Sequence, residues 1–174
     1  IITPVKDNID QTLDTVRAVL ASQLTVPYTY TLYNDFSSEE NTSRLEAASR
    51  EMGFTLVNLS DLTKHPSPNY LLVLQRERHM CLDEEAALLI VESDVTVRPE
   101  TLQGLCDGAD QHADAGIVAS VTVDEAGAIN YPYLYARGQE GLVVDTHRHC
   151  SFCCSLLTPE LLRRVDFDQL DASK

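Results

Sequence analysis

Glu92 and Asp94 stand one residue apart at the end of the apolar run Ala87 to Val91, and the apolar pattern resumes at Val95. Two carboxylates held close repel each other unless something positive lies between them. A hard divalent cation is the natural counterpart, because Mg²⁺ takes one or two protein carboxylates and fills its shell with water and phosphate oxygens. A solvated acidic turn is the plain alternative in a chain with 27 acidic residues. Asp35, in the stretch Asn34-Asp35-Phe36-Ser37, can accept hydrogen bonds from a planar donor edge. Ser37 could equally cap a helix there. A third group, His147, His149, Cys150, Cys153 and Cys154, falls within eight positions. Cys150-x-x-Cys153 has a spacing that zinc sites use. Structural zinc usually draws on two separated ligand pairs, however, and strand alternation would send Cys153 and Cys154 to opposite faces. Small buried cysteines are the favoured reading, with zinc, or a binding-site lining by His147 or His149, as alternatives.

The chain that must position these groups has 174 residues and a formal charge of −14. One domain is expected. The charge argues against nucleic acid and anionic membranes as main partners, but not against an anionic ligand that carries its own cation. No apolar run approaches the ~20 residues of a membrane span. Five cysteines in a chain of this size fit a reducing cytoplasm better than a disulfide scaffold. Any membrane association would come from parts outside this chain.

The periodicity alternates strand and helix. Ile1 to Val5 reads as a strand, then Asn8 and Gln11 form a capping box for a helix with the stripe Ile9, Leu13, Val16 and Leu20. Tyr28 to Tyr33 reads as a second strand. Ser37 and Glu40 box the next helix, striped by Leu45, Ala48 and Met52 and stopped at Gly53. Phe54 to Val57 is a third strand and Asn58 to Asn69 a polar loop. Leu71, Leu74, Arg78 and Leu82 pace a third helix with Tyr70 at its base. Ala87 to Val91, continuously apolar, reads as a strand buried on both faces. Pro99 fits the first position of a fourth helix.

This order implies an α/β fold, a mostly parallel sheet with helices on both faces. Ligands of such sheets bind at the carboxyl ends of the strands, which puts Pro4, Asn34-Asp35 and Glu92-Ser93-Asp94 on one rim. Beyond residue 110 the pattern becomes mixed α+β. Gly116 to Val123 reads as a strand that Ala128 to Tyr133 pairs with across the turn Asp124 to Gly127. Leu142 to Val144 and Phe152 to Leu157 are weaker strands, and Thr158 with Pro159 starts a helix.

Three stretches, "IITPVKDN", "NDFS" and "ESDV", taken in this order and at strand ends, resemble the family 2 glycosyltransferases of the GT-A, Rossmann-like fold. "SFCCSLLTPELLRRVDFD" is similar to that family's acceptor-side strand, helix and turn, so the resemblance covers nearly the whole chain. It implies a donor half in residues 1–110 and a partial acceptor half in 111–174. It implies a UDP- or GDP-linked sugar as donor, a saccharide or other hydroxyl as acceptor, and Mn²⁺ or Mg²⁺ as cofactor. By the resemblance, Thr3 and Pro4 line the base pocket through their backbone and Asp35 bonds the base. Arg76, or its rival Arg78, contacts the nucleotide, Glu92 faces the ribose or a metal-bound water, and Asp94 binds the metal. Asn34 and Glu92 stand where the family has Asp. The family's catalytic base lies past the turn that is here Asp166-Phe167-Asp168. Asp166, Asp168 and Asp171 qualify by residue type only, and cap or surface roles suit them better. The expectation is a piece with no base, able to bind donor. A sugar-phosphate nucleotidyltransferase would want a Gly-rich loop after the first strand, and "TPVKDNID" has no Gly. A non-catalytic module of the same fold is the other alternative.

Overall fold

The computed structural model describes residues 1–170. Asp171 lies outside the described residues. Six strands form one sheet in the order β3-β2-β1-β4-β6-β5. β1 (Ile2–Val5), β2 (Thr31–Asn34), β3 (Thr55–Asn58) and β4 (Leu88–Val91) run parallel. β6 (Cys154–Leu157) is antiparallel both to β4 and to β5 (Ile117–Ala119). The carboxyl ends of β1 to β5 and the start of β6 therefore share one rim.

Alternation along the strands feeds two cores. Val5, Leu32, Leu89, Val91, Cys154 and Leu156 face α1 (Ile9–Leu20), α2 (Glu39–Met52) and α4 (Thr101–Gln111). Ile2, Tyr33, Leu88, Ile90 and Leu157 face α3 (Tyr70–Asp83) and α5 (Pro159–Arg164). All four residues of β4 are buried, as a strand packed on both faces requires. Among the described residues no helix is long and apolar enough to cross a membrane.

Several boundaries move, each for a local reason. Asn8 has left-handed backbone geometry and makes no side-chain cap. Its amide donates to the Gln11 side chain instead, so the expected capping box is absent. The fully buried positions of α1 are Ile9, Thr12, Thr15, Val16 and Val19, with the expected Leu13 and Leu20 partly buried against the same core; Thr12 can be buried because its hydroxyl donates to Asn8 O at 3.0 Å. In α2 the cap is Ser38, which accepts from Asn41 N, because the Ser37 hydroxyl is taken by Asp7 N at 2.8 Å. Pro99 precedes α4 rather than opening it. Its carbonyl accepts from Gln23 N at 2.8 Å, which holds it in a turn. β5 stops at Ala119, and the expected hairpin survives as one bridge, Val123 to Ile129. Leu142 to Val144 form no strand and are exposed.

β1 and β4 are where the strand order reverses. β1 pairs with β2 along its full length but with β4 only at Ile2 to Ile90. Ile1 O and Val5 O accept from β2 and the residue after it. By alternation, Ile2 and Pro4 present their backbone to β4. Pro4 has no N–H to give, so the backbone ladder with β4 ends below it.

Asn34 ties the rim end of β2 to its neighbours. It is 3% exposed, donates to Thr42 Oγ1 at 3.0 Å and Asn58 Oδ1 at 2.8 Å, and accepts from Ser37 N at 3.2 Å. An Asp here would bring no donor of its own. Replacing Asn34 with Leu strands these buried partners, and urea unfolding should show a loss of about 1–3 kcal/mol. An unchanged midpoint would rule out the brace.

Candidate functional site

The rim is built from three turns. After β1, Asp7 and Asn8 both adopt positive φ, 52° and 49°. This reversal brings the Asp7 carboxylate onto the start of α2, where Oδ1 accepts from Ser38 N at 2.8 Å and Asn41 Nδ2 at 2.9 Å. These two bonds, Asn41's first, hold the Asp7 carboxyl below its ordinary range. A negative group also suits the electropositive start of a helix.

After β2 comes Asp35, 8% exposed. Its carboxylate accepts from Ser67 Oγ at 2.7 Å, Asn69 N at 2.9 Å and Asn69 Nδ2 at 2.7 Å. A carboxylate offers roughly four acceptor positions, so the loop that precedes α3 takes most of them. Asp35 thereby fastens the start of α3, and Tyr70 with it, to the rim.

After β4 the chain does not continue as a strand. Val95 N returns to Glu92 O at 3.1 Å, so a tight turn, not strand alternation, arranges the acidic pair. Glu92 is half-buried and anchored by its N–H to Cys153 O at 2.8 Å, while Asp94 is exposed. Both carboxylates bear on Cys153. Burial pushes that thiol up and the two acids add to the effect, against an opposing hydrogen bond with Ser151. Glu92 also lines a shallow, open surface pocket of about 340 Å³ with Tyr70, Cys150 and Phe152.

Pro4, Asp35, Glu92 and Asp94 thus lie along the carboxyl-end rim of the sheet, near the point where the strand order reverses. Thr3 lies beneath it, fully buried, its hydroxyl bonded to Tyr30 OH at 2.9 Å. Arg76 is exposed on α3, about 9 Å along the helix axis from Tyr70. Arg78 is committed elsewhere, to Leu162 O at 2.8 Å and Asp166 at 3.2 Å. Asp168 pairs with His79 at 2.7 Å, and Asp166 also caps the turn at Phe167–Gln169. His147 and His149 are exposed, Cys154 is in the core, and its thiol is pushed up to about 12 by burial. Among the described residues no three His, Cys, Asp or Glu side chains come together to hold a metal ion.

Sequence reasoning missed Asp7, Ser67 and Asn69 as site scaffolding and Cys150, Phe152 and Tyr70 as cavity walls. Tyr70 and Phe152 are far apart in the chain, and no local pattern signals that they meet.

No family model and no curated protein matches this sequence. Solved structures do match. Glucosyl-3-phosphoglycerate synthase from Mycobacterium tuberculosis, in complex with phosphoglyceric acid, superposes with a TM-score of 0.54 at 14% identity, over 91% of this chain and 56% of that one. The same synthase with uridine diphosphate gives 0.50 at 15% identity, with the same coverage. S. aureus TarS 1-349 in complex with UDP-GlcNAc gives 0.48 at 16%, over 68% of this chain and 32% of that one. This chain therefore spans about half the length of the synthase and a third of TarS 1-349. The synthase matches establish the fold: α/β, with a mixed, mostly parallel six-stranded sheet of the GT-A type.

Asp7 generates a pH prediction. Its folded-state pKa lies below the ordinary 3.8, so its contribution to stability is present above that value and lost as pH falls through the folded pKa. The difference in urea midpoint between wild type and Asp7→Ala should hold from neutrality down to about pH 4 and then close. A difference that persists unchanged at pH 2 would mean that the charge is not responsible.

Proposed function

We propose that this chain binds the nucleoside diphosphate moiety of a sugar donor at the rim where β1 and β4 meet, as the donor half of a metal-assisted, inverting glycosyltransferase. The observation that carries this reading is the reversal of strand order at β1 and β4, with the Glu92–Asp94 turn on the rim beside it. An open α/β sheet binds ligands at such a reversal point. The GT-A fold and a synthase neighbour solved with uridine diphosphate support the same class of ligand. UDP- and GDP-linked sugars are the donors, and a saccharide or other hydroxyl compound is the acceptor.

In this reading the Pro4 carbonyl and the backbone around Thr3 border the base. Asp35 acts with its remaining acceptor position and by holding the Ser67–Asn69 loop. Arg76 meets the nucleotide only at its extended periphery, and Glu92 takes hydroxyl groups. The donor set fits Mg²⁺ or Mn²⁺: Asp94 is an exposed carboxylate in a turn beside a second acid, with no further protein ligand gathered around it among the described residues. A cation so held expects its other ligands from phosphate oxygens and water. When bound it would neutralise charge on the leaving diphosphate. Residues 1–110 form the donor half and 111–174 the start of the acceptor side.

Attack by an acceptor hydroxyl needs a group to take its proton. Asp166 and Asp168 are engaged with α3 through Arg78 and His79, and we assign no base among the described residues. These engagements also favour a second reading, a nucleotide-binding module of the same fold that does no transfer.

Calorimetric titration with UDP, GDP and their sugars tests the proposal. Binding should require Mn²⁺ or Mg²⁺, and Asp94→Asn should weaken it at least tenfold, about 1.4 kcal/mol. Metal-independent binding that Asp94→Asn leaves unchanged would refute the assignment. Release of free sugar or its transfer would separate the enzyme from the binding module.

A further inference from the structure

A larger cavity lies at the opposite end of the sheet from the rim. It is bordered by the starts of β1 and β4, the end of β6, and the later turns of α3 and α4. Leu24, Met80, Leu89, Cys106 and Ala109 supply apolar walls. Its volume of about 670 Å³ falls within the range of small-molecule sites. Ligands of open α/β sheets bind at the carboxyl end, so the donor reading makes no use of this space.

Glu77 is the residue here that packing alone does not explain. It lines the cavity from α3 and is only 7% exposed. One carboxylate oxygen accepts from Tyr33 OH. Burial first, and then Glu77, push that phenol far above its ordinary range, so it stays a donor. The other oxygen has no hydrogen-bond partner, and the carboxylate forms no ion pair, among the described residues. Buried charges are normally paired, and a carboxylate has roughly four acceptor positions to fill. Two cations border the cavity, and neither answers Glu77. The Ile1 amino group feels its charge but donates to Thr29 O at 2.7 Å. Arg163 is exposed and paired with Glu160 at 3.3 Å. Glu84, Asp110 and Glu160 also border the cavity and are exposed, which keeps the field at its opening negative.

We infer that this cavity binds an apolar organic amine in its protonated form. The ammonium meets the free oxygen of Glu77, and the hydrocarbon body lies against Met80, Leu89 and Ala109. An ammonium only donates, and it brings the charge that Glu77 lacks. A neutral body of the same shape would leave the carboxylate unpaired, and an anion would face the acids at the opening. A bare divalent cation would want more oxygen ligands than these walls offer.

The test is NMR of the intact chain labelled at its two methionine methyls. Met80 reports on the cavity, and Met52, packed against the core on the other face of the sheet, is the control. Hexylamine, hexanol and hexanoate present one body with a cationic, a neutral and an anionic head. Hexylamine should shift Met80, leave Met52 unmoved and bind about tenfold tighter than hexanol, while hexanoate should not bind. Glu77→Gln should bring hexylamine to the level of hexanol. Ala109→Phe fills the cavity from a half-buried position and should abolish binding of both, which keeps the test decisive if Glu77→Gln fails to fold. Equal binding of hexylamine and hexanol would make this an apolar docking groove and overturn the assignment. So would a Met80 signal that hexylamine leaves in place, or hexylamine binding that survives Ala109→Phe. Self-association of the wild-type chain that Met80→Glu disperses in sedimentation would put a second copy in the cavity and also overturn it. Nucleotide titration reads the other end of the sheet, so the two proposals fail separately.

Discussion

Pro4 lies in a central strand, where a proline is normally excluded because it cannot donate to the ladder, and the shape of the rim follows from that missing hydrogen bond. The side of β1 facing β2 is unaffected, since the alternate residues serve that edge. The side facing β4 pairs only at Ile2 and Ile90. The backbone pairing of the two strands therefore stops short of the carboxyl end. The same end receives the turn after β4, and the geometry of the rim follows from those two facts.

Around the rim, polar side chains serve mainly as scaffold. Asn34 braces three elements, Asp7 satisfies the start of α2, and Asp35 spends most of its acceptor capacity on the loop before α3. Buried polar groups must be paired, and here the pairing also sets the positions of the rim. Little is left free to meet a ligand except Glu92, Asp94 and the wall formed by Tyr70 and Phe152. A rim constructed in this way is firm at its base and chemically sparse at its surface.

Much of this is legible from spacing. The alternation of short apolar runs with 3.6-period stripes specifies an α/β sheet, and the continuous run before Glu92 marks the strand buried on both faces. Gly53 as a helix stop and Thr158-Pro159 as a helix start hold to the residue, because each depends on one local backbone property: φ 82° at Gly53, and a side-chain oxygen that accepts from Leu161 N. Where local pattern misleads, a partner remote in sequence or an unusual backbone conformation intervenes. Asp7 claims Ser37 and moves the cap of α2 to Ser38. Gln23 claims Pro99 and delays α4. Asn8 adopts a conformation in which a capping box cannot form.

The sequence by itself determined the strand-helix order, the buried strand and the placement of Pro4, Asp35 and the Glu92–Asp94 pair at strand ends. These are consequences of periodicity and of the backbone limits of single residues, which act within a few positions. Only the tertiary structure decided that Asp35 would bind the Ser67–Asn69 loop, that Glu92 would turn inward while Asp94 stayed exposed, and that Tyr70 would meet Phe152. Those outcomes depend on which surfaces the sheet order brings together, and residues joined only by folding carry no mark of one another in the chain.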